Sequence, residues 1–363
     1  MTVGRASRIV IAVVVAGLVV TYNSRNPERA SLDDAARQKA PGRFFRLSDG
    51  STHYDVSGPE GGQRVVLVHG FSVPYYIWDS TSAALSAAGF RVARYDIYGR
   101  GFSDRPDVPY TLDLFDRQLQ QLLDSLGWRE PVDVVGLSMG GVVSATFAGR
   151  HAERVRSLAL IDPVAEPAGP LPAMFRFPLL GPMLWQVLAV PTMPDGQLTD
   201  FVEPARWPGW TARYRDQMQY RGFGRALRST RVALNTVSMD SVYGRVGTSG
   251  VPVLLIWGKE DKTGKVPTDV ARHKKTLPVL YAFEHASDAD RARLRELYAM
   301  GDLGEAGVRE VVAILERSGG AEFTRSEARR YRDQALAELE ALSVVDPAAR
   351  ERLTGIIVGV ISA

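Results

Sequence analysis

The sequence predicts an α/β fold: a mostly parallel sheet with helices on both faces, a cap insertion, and a helical C-terminal segment. Three observations carry that expectation. Apolar runs at Val65 to Val68, Phe90 to Tyr95, Val132 to Val135, Val155 to Ile161 and Val251 to Ile256 alternate with helical patterns, as strands joined by crossover helices do. One run leads directly into Gly136-Leu137-Ser138-Met139-Gly140, a G-x-S-x-G pentapeptide. Between Pro170 and Pro194 the alternation gives way to prolines, methionines and aromatics, which marks the insertion.

Taken in chain order, Phe44 to Leu47 and His53 to Val56 flank Ser48-Asp49-Gly50-Ser51, a hairpin signal. Val65 to Val68 ends in His69-Gly70-Phe71, and Arg94 to Asp104 reads as a strand breaking into a glycine-punctuated turn. Asp96 and Ser103 are expected to stabilise that turn, since Asp and Ser commonly bond nearby backbone. Leu114, Leu119, Leu122, Leu123 and Leu126 share one stripe of a helix over Leu112 to Leu126, which predicts core packing.

Small residues on either side of Ser138 allow a sharp strand-to-helix turn that holds its hydroxyl exposed and strained, the setting of a nucleophile. The backbone N–H groups of Phe71 and Met139 are the expected oxyanion donors when Ser138 attacks a carbonyl. His69, beside a glycine at a strand end, reads as orienting its loop rather than as the base.

The His69-Gly70-Phe71 run, the Asp96 turn and Gly136 to Gly141, in that order, resemble the α/β-hydrolase family over about residues 43 to 263. The resemblance implies a nucleophile, acid and histidine in that chain order. It places the acid at Asp261, after Leu254-Leu255-Ile256-Trp257-Gly258, with Glu260 its neighbour and Asp162 the alternative. The family's base sits in a Gly-His pair after a last short strand, and no such pair follows Asp261. His273 lies in a cationic run and reads as solvated. His285 follows the apolar run Leu277 to Phe283, which could serve as that strand, so His285 is the expected base; Glu284 stands where the family has glycine.

From Thr263 to about Leu342 the chain also resembles the C-terminal helices of a polyprenyl diphosphate synthase, which implies helix for Leu277 to Phe283. Val308, Val311, Val312 and Leu315 form an amphipathic stripe, as do Tyr331, Ala335, Leu339 and Leu342, and Thr324 and Glu327 have capping-box spacing. Prenyl transfer needs Mg²⁺ on aspartate-rich clusters, and the adjacent Asp33-Asp34 offers none. Lys265, Lys274 and Lys275 read as an exposed basic face. No metal or cofactor is expected.

Arg5 and Arg8 precede an apolar run from Ile9 to Val20. It is shorter than the roughly 20 residues of a spanning helix and is expected to be a signal anchor exporting the catalytic body, or else the leader of a secreted protein. Asn26 to Gly42 reads as a linker. The expected organisation is therefore anchor and linker over 1–42, a hydrolase domain over 43–263 with its cap at about 166–248, and a helical segment over 264–363.

With 363 residues and 45% hydrophobic content the chain can bury a real core. Its net charge of +3 is interspersed, which argues against a nucleic-acid surface. The lack of cysteine excludes disulfides, thiol catalysis and thiolate-bound metal. The leading expectation is a serine hydrolase cleaving carboxylic esters of apolar acids through an acyl-Ser138 intermediate, with the cap residues Met174, Phe175 and Trp185 lining an apolar pocket. Two alternatives remain: an impaired hydrolase serving as a binding or scaffold module, and C–C bond hydrolysis or haloperoxidase-like chemistry on the same elbow. The oligomeric state is left open.

Overall fold

A computed structural model describes residues 17, 20–167, 169–201, 203–256, 277–300 and 303–341. The chain divides into two compact units. The first runs up to Ala83 and resumes as Arg91–Val253; the second takes Ala84–Phe90 and the chain from Leu254 onward.

The first unit is built on the expected sheet. Its strands are β1 (Arg43–Arg46), β2 (Ser51–Ser57), β3 (Arg64–Val68), β4 (Arg91–Tyr95), β5 (Val132–Leu137) and β6 (Val155–Ile161), in the spatial order β1-β2-β4-β3-β5-β6, and a seventh strand, β7 (Val253–Ile256), follows β6 in the sheet and begins at the unit's last residue. The β1–β2 hairpin is antiparallel and joins β4 antiparallel; β4–β3, β3–β5 and β5–β6 are parallel. The apolar runs of β3, β4, β5 and β6 therefore lie side by side, with their carboxyl ends on one edge, the edge where open α/β sheets bind ligands.

Crossover helices bury the sheet. Helix α1 (Asp79–Ala87) follows β3, α2 (Leu112–Ser125) follows β4 and α3 (Met139–Arg150) follows β5. Leu114, Leu119, Leu122 and Leu123 of α2 join Val66, Val68, Val134, Val142 and Phe147 in one core, as their stripe predicts, with Leu126 packed at its edge. Three later helices, α4 (Trp210–Met218), α5 (Phe223–Leu234) and α6 (Met239–Thr248), follow the short helical turns of the cap, and α6 packs along α3.

The cap has its own smaller core. Trp185, Val190, Tyr214, Met218, Phe223 and Leu227 pack with Val73, Tyr75 and Tyr76, and Phe71 touches both this cluster and the main one. The chain before β1 is not the free linker that its polarity suggests. Arg29 and Ala30 donate backbone N–H groups to the Gln219 carbonyl, and Arg221 donates back to Ala30. Gly222, at the N-cap of α5, has no side chain to cap that helix. Instead Glu28 accepts the N–H groups of Gly222 at 2.6 Å and Gly224 at 2.7 Å. A carboxylate there also meets the positive end of the helix dipole. Asn26 and Glu28 both accept from the Gln186 amide, at 2.7 and 3.0 Å, so the segment straps the cap.

The second unit carries α7 (Leu277–His285), α8 (Asp288–Ala299), α9 (Gly304–Arg317) and α10 (Gly320–Ala341). Val279, Ala282, Leu294, Leu297, Val311, Ile314 and Leu315 form its core, with Val308 and Val312 packed against it, as the predicted stripe requires. Arg293 and Glu310 tie α8 to α9 on the surface. The capping box expected at Thr324 and Glu327 does not form, because α10 already begins at Gly320. The Thr324 hydroxyl donates instead to the Gly320 carbonyl one turn back, at 2.8 Å, while Glu327 pairs with Arg330. Among the described residues no helix is long and apolar enough to cross a membrane; most of the Ile9 to Val20 run lies outside them.

Candidate active site

Ser138 occupies the turn between β5 and α3 with φ 52° and ψ −117°. A left-handed backbone at a serine costs on the order of 1–3 kcal/mol and persists only where its surroundings impose it. Here they do. The Ser138 N–H continues the sheet by donating to Ile161 at 2.9 Å, and the Gly141 N–H donates to the Ser138 carbonyl at 2.9 Å. Both flanking glycines are sterically required. A methyl on Gly136 would sit 2.4 Å from the Gly140 carbonyl oxygen, and one on Gly140 would sit 2.3 Å from the Val68 oxygen.

The loop after β3 adjoins this turn. A methyl built on Gly70 would lie 3.5 Å from Ser138 Cβ and 4.0 Å from its Oγ, so the next peptide, bearing the Phe71 N–H, belongs to the same corner. Met139 is the first residue of α3 and is buried. Its N–H is one of the helix-start donors without an intrahelical acceptor. The two expected oxyanion donors thus stand on elements that converge at Ser138, and the helix dipole adds to the attraction for negative charge.

His69 is fixed in a structural role. Its Nδ1 lies 2.8 Å from the Gly70 carbonyl, and its Nε2 accepts the Ile97 N–H at 2.9 Å. Burial lowers its pKa to about 4, outweighing the attraction of Asp96, so the ring is neutral and has no nitrogen left for a substrate. Asp96 is the expected organiser of its turn. It accepts the N–H groups of Tyr75 at 2.8 Å and Phe102 at 2.9 Å, and Ser103 donates to its carbonyl at 2.5 Å. Burial pushes the Asp96 carboxyl up, but His53 at 2.7 Å and its backbone donors hold it below the usual range.

Two features here escape sequence reasoning. His53 bridges Asp96 and the Pro41 carbonyl inside the core; nothing in the pattern of β2 distinguishes it from an ordinary strand residue. Arg100 is fully buried, donating to the carbonyls of Phe71 at 2.7 Å and Tyr98 at 3.0 Å and to the Thr230 hydroxyl at 3.0 Å. Burial lowers its pKa only to about 10, so it remains a cation at neutral pH, set directly behind the Phe71 peptide. Nothing in Gly99-Arg100-Gly101 marks this arginine as buried; only the long-range fold reveals it.

Of the remaining expected residues, Asp261, with Glu260 and His273, lies outside the described residues. Asp162 is described. The β5–β6 register pairs Leu137 with Ile161, which sets Ser138 and Asp162 next to each other at the ends of their strands, and Asp162 also has positive φ, 43°. His285 belongs to the second unit, as the last residue of helix α7. The run Leu277 to Phe283 is thus helix rather than a last strand, because Val279 and Ala282 recur at helical spacing in that unit's core. His285 Nδ1 lies 3.1 Å from the Tyr281 carbonyl, and its ring stacks on Tyr281 at 4.2 Å. In the cap, Trp185 is buried in the cap core with its N–H donating to Gly224 at 2.9 Å. Phe175 packs edge-on against it at 5.4 Å, while Met174 is 42% exposed.

Comparison with known proteins agrees with this geometry. The family described as alpha/beta hydrolase fold matches residues 63–188. A 2-hydroxy-6-oxononadienedioate/2-hydroxy-6-oxononatrienedioate hydrolase of Paraburkholderia xenovorans (strain LB400) is 30% identical over 261 residues, spanning 65% of this chain and 84% of the relative. A putative non-heme chloroperoxidase of Synechocystis is 36% identical over 104 residues, 28% of this chain and 37% of its own. Among solved structures, the enol-lactonase from Burkholderia xenovorans LB400 superposes with a TM-score of 0.52 at 25% identity, covering 60% of this chain and 81% of that one. With its strand-to-helix turn at Ser138 and its sheet order in place, the chain belongs to the α/β-hydrolase fold family.

Proposed function

We propose that the protein hydrolyses carboxylic esters of apolar acids with Ser138 as nucleophile. The observation that carries this reading is the left-handed Ser138 at the start of α3, held beside Gly70. Similarity to an enol-lactonase supports ester chemistry in particular, because a lactone is a cyclic ester. Ser138 Oγ bonds to the acyl carbon as its proton passes to a base. The tetrahedral oxygen accepts the N–H groups of Phe71 and Met139, the ester C–O bond breaks, and the base returns the proton to the leaving alkoxide. Water then attacks the acyl-Ser138 ester by the same route and releases the acid.

The histidines described in the first unit are all engaged: His69 with Gly70 and Ile97, His53 with Asp96 and Pro41, His151 with Asp116. We therefore assign the base to the histidines after Asp261, with His285 the first choice and His273 the second, and the acid to Asp261 with Asp162 as alternative. A fluorophosphonate probe should label Ser138 and no other serine, and Ser138→Ala should abolish both labelling and ester turnover. His285→Ala should slow labelling about a thousandfold if it is the base; if only His273→Ala does so, the base is reassigned. Failure of the wild-type chain to label would sink the hydrolase reading. It would favour the second reading, a binding module with an intact elbow and no working base, for which the helical setting of His285 speaks.

Arg100 gives a further check. Its guanidinium pins the Phe71 carbonyl and places positive charge behind the proposed oxyanion corner. Arg100→Met should slow labelling about tenfold, with Arg100→Lys in between. Equal labelling rates in a folded Arg100→Met protein, checked by thermal melting, would remove that role.

A further inference from the structure

The cap carries an exposed apolar surface that the hydrolase reading does not use. From Pro172 to Leu180 every residue except Phe175 is exposed. Phe177 is 58%, Leu180 49% and Leu179 92% exposed, and Leu179 has φ 63°, a left-handed backbone that a leucine adopts only at a cost. Arg176 is the one charge in this stretch. Large apolar residues exposed together on one loop mark an interaction surface rather than scattered surface hydrophobics.

The chain before β1 is tied to the same part of the cap. The helix over 20–25 exposes Val20 and Tyr22 and leads into Asn26 and Glu28, which the Gln186 amide holds at 2.7 and 3.0 Å. Gln186 belongs to the helical run that starts at Leu180, since Leu180–Leu184 continues into Trp185–Ala189. The two are about 9 Å apart along it. The chain that follows the 20–25 helix therefore meets the cap on the helical run that Leu180 begins. Arg25 and Arg176 are exposed, and neither 20–25 nor 172–180 contains an acidic residue, which suits anionic headgroups.

We propose that this face of the cap rests on a lipid bilayer, with Phe177, Leu179 and Leu180 at the boundary of headgroups and acyl chains. An apolar ester dissolved in the membrane is then the substrate within reach, a clause that rests on the Ser138 reading; the surface contact does not.

The chain has no cysteine, so Leu179→Cys in the full-length protein accepts one environment-sensitive fluorophore. Glu130→Cys, at an exposed position before β5, is the control. On vesicles of phosphatidylcholine and phosphatidylglycerol, the label at 179 should rise in emission at least about twofold and be quenched by doxyl-labelled lipid, while that at 130 stays aqueous. Equal responses at the two sites, or none at 179, overturn the proposal. So does a lipid-independent rise at 179 that grows with protein concentration, which would assign the surface to a second copy. Replacing Phe177 and Leu179 by glutamate should cut turnover of a vesicle-dissolved ester about tenfold and leave a water-soluble short-chain ester unaffected. Equal loss on both esters overturns the substrate clause. Absence of Ser138 labelling in the parent chain would instead remove the hydrolase reading and leave the quenching result standing.

Discussion

Gly140→Ala should abolish fluorophosphonate labelling of Ser138 and destabilise the first unit by about 3 kcal/mol. The added methyl would fall 2.3 Å from the Val68 carbonyl oxygen and 2.4 Å from that of His69. Both contacts are backbone, so no side chain can rotate away. Either α3 shifts or the loop carrying Gly70 and Phe71 does, and each movement separates the two proposed oxyanion donors. Gly247→Ala is the control, because α6 leaves open space around that glycine; there a better helix former should be neutral or slightly stabilising. Thermal melting and the labelling rate measure the two effects separately. Wild-type labelling by a folded Gly140→Ala protein would show that the close approach of α3 to the β3 loop does not set the site.

The same contact explains why so much of the first unit was legible in the sequence. Val132 to Leu137 followed by small residues can continue only as a tight turn into α3, and the alternating runs before and after it can form only a crossover sheet. Local signals of this kind are sufficient where neighbouring residues determine one another. They fail where the partner is remote. Glu28 caps α5 across 194 residues, and Arg100 reaches Thr230 across 130, so the stretch read as a linker is engaged with the cap and nothing local marks the turn arginine as buried. The run Leu277 to Phe283 was ambiguous for a different reason. An apolar segment of seven residues suits a buried strand or a buried helix, and only the packing of Val279 and Ala282 with Leu294 and Ile314 decides for helix. That decision also moved His285 from a loop after a strand to the end of a helix.

Acidification supplies the second large effect, centred on His69. Its pKa is lowered by burial from 6.5 to about 4 in the folded chain. Above pH 6.5 neither state binds the proton and the group leaves stability unchanged. Between 6.5 and 4 the unfolded chain takes up a proton that the folded chain refuses, so stability falls, by about 3 kcal/mol once pH 4 is reached. The cause is specific: Nε2 must keep a lone pair for the Ile97 N–H, and protonation would set two N–H groups against each other. Asp96, whose pKa is lowered, weakens the fold only below its ordinary value of 3.8, outside this window. Urea titrations of the full chain at pH 7 and pH 4.5, read by tryptophan emission, should show the loss in the wild type. His69→Asn, which cannot titrate, should show little of it. An identical loss in the variant would assign the acid sensitivity elsewhere. A catalytic base has to gain a proton during turnover while staying in place. A ring that must keep its Nε2 lone pair for the Ile97 N–H cannot do so, which is why His69 serves the loop after β3 rather than as a base.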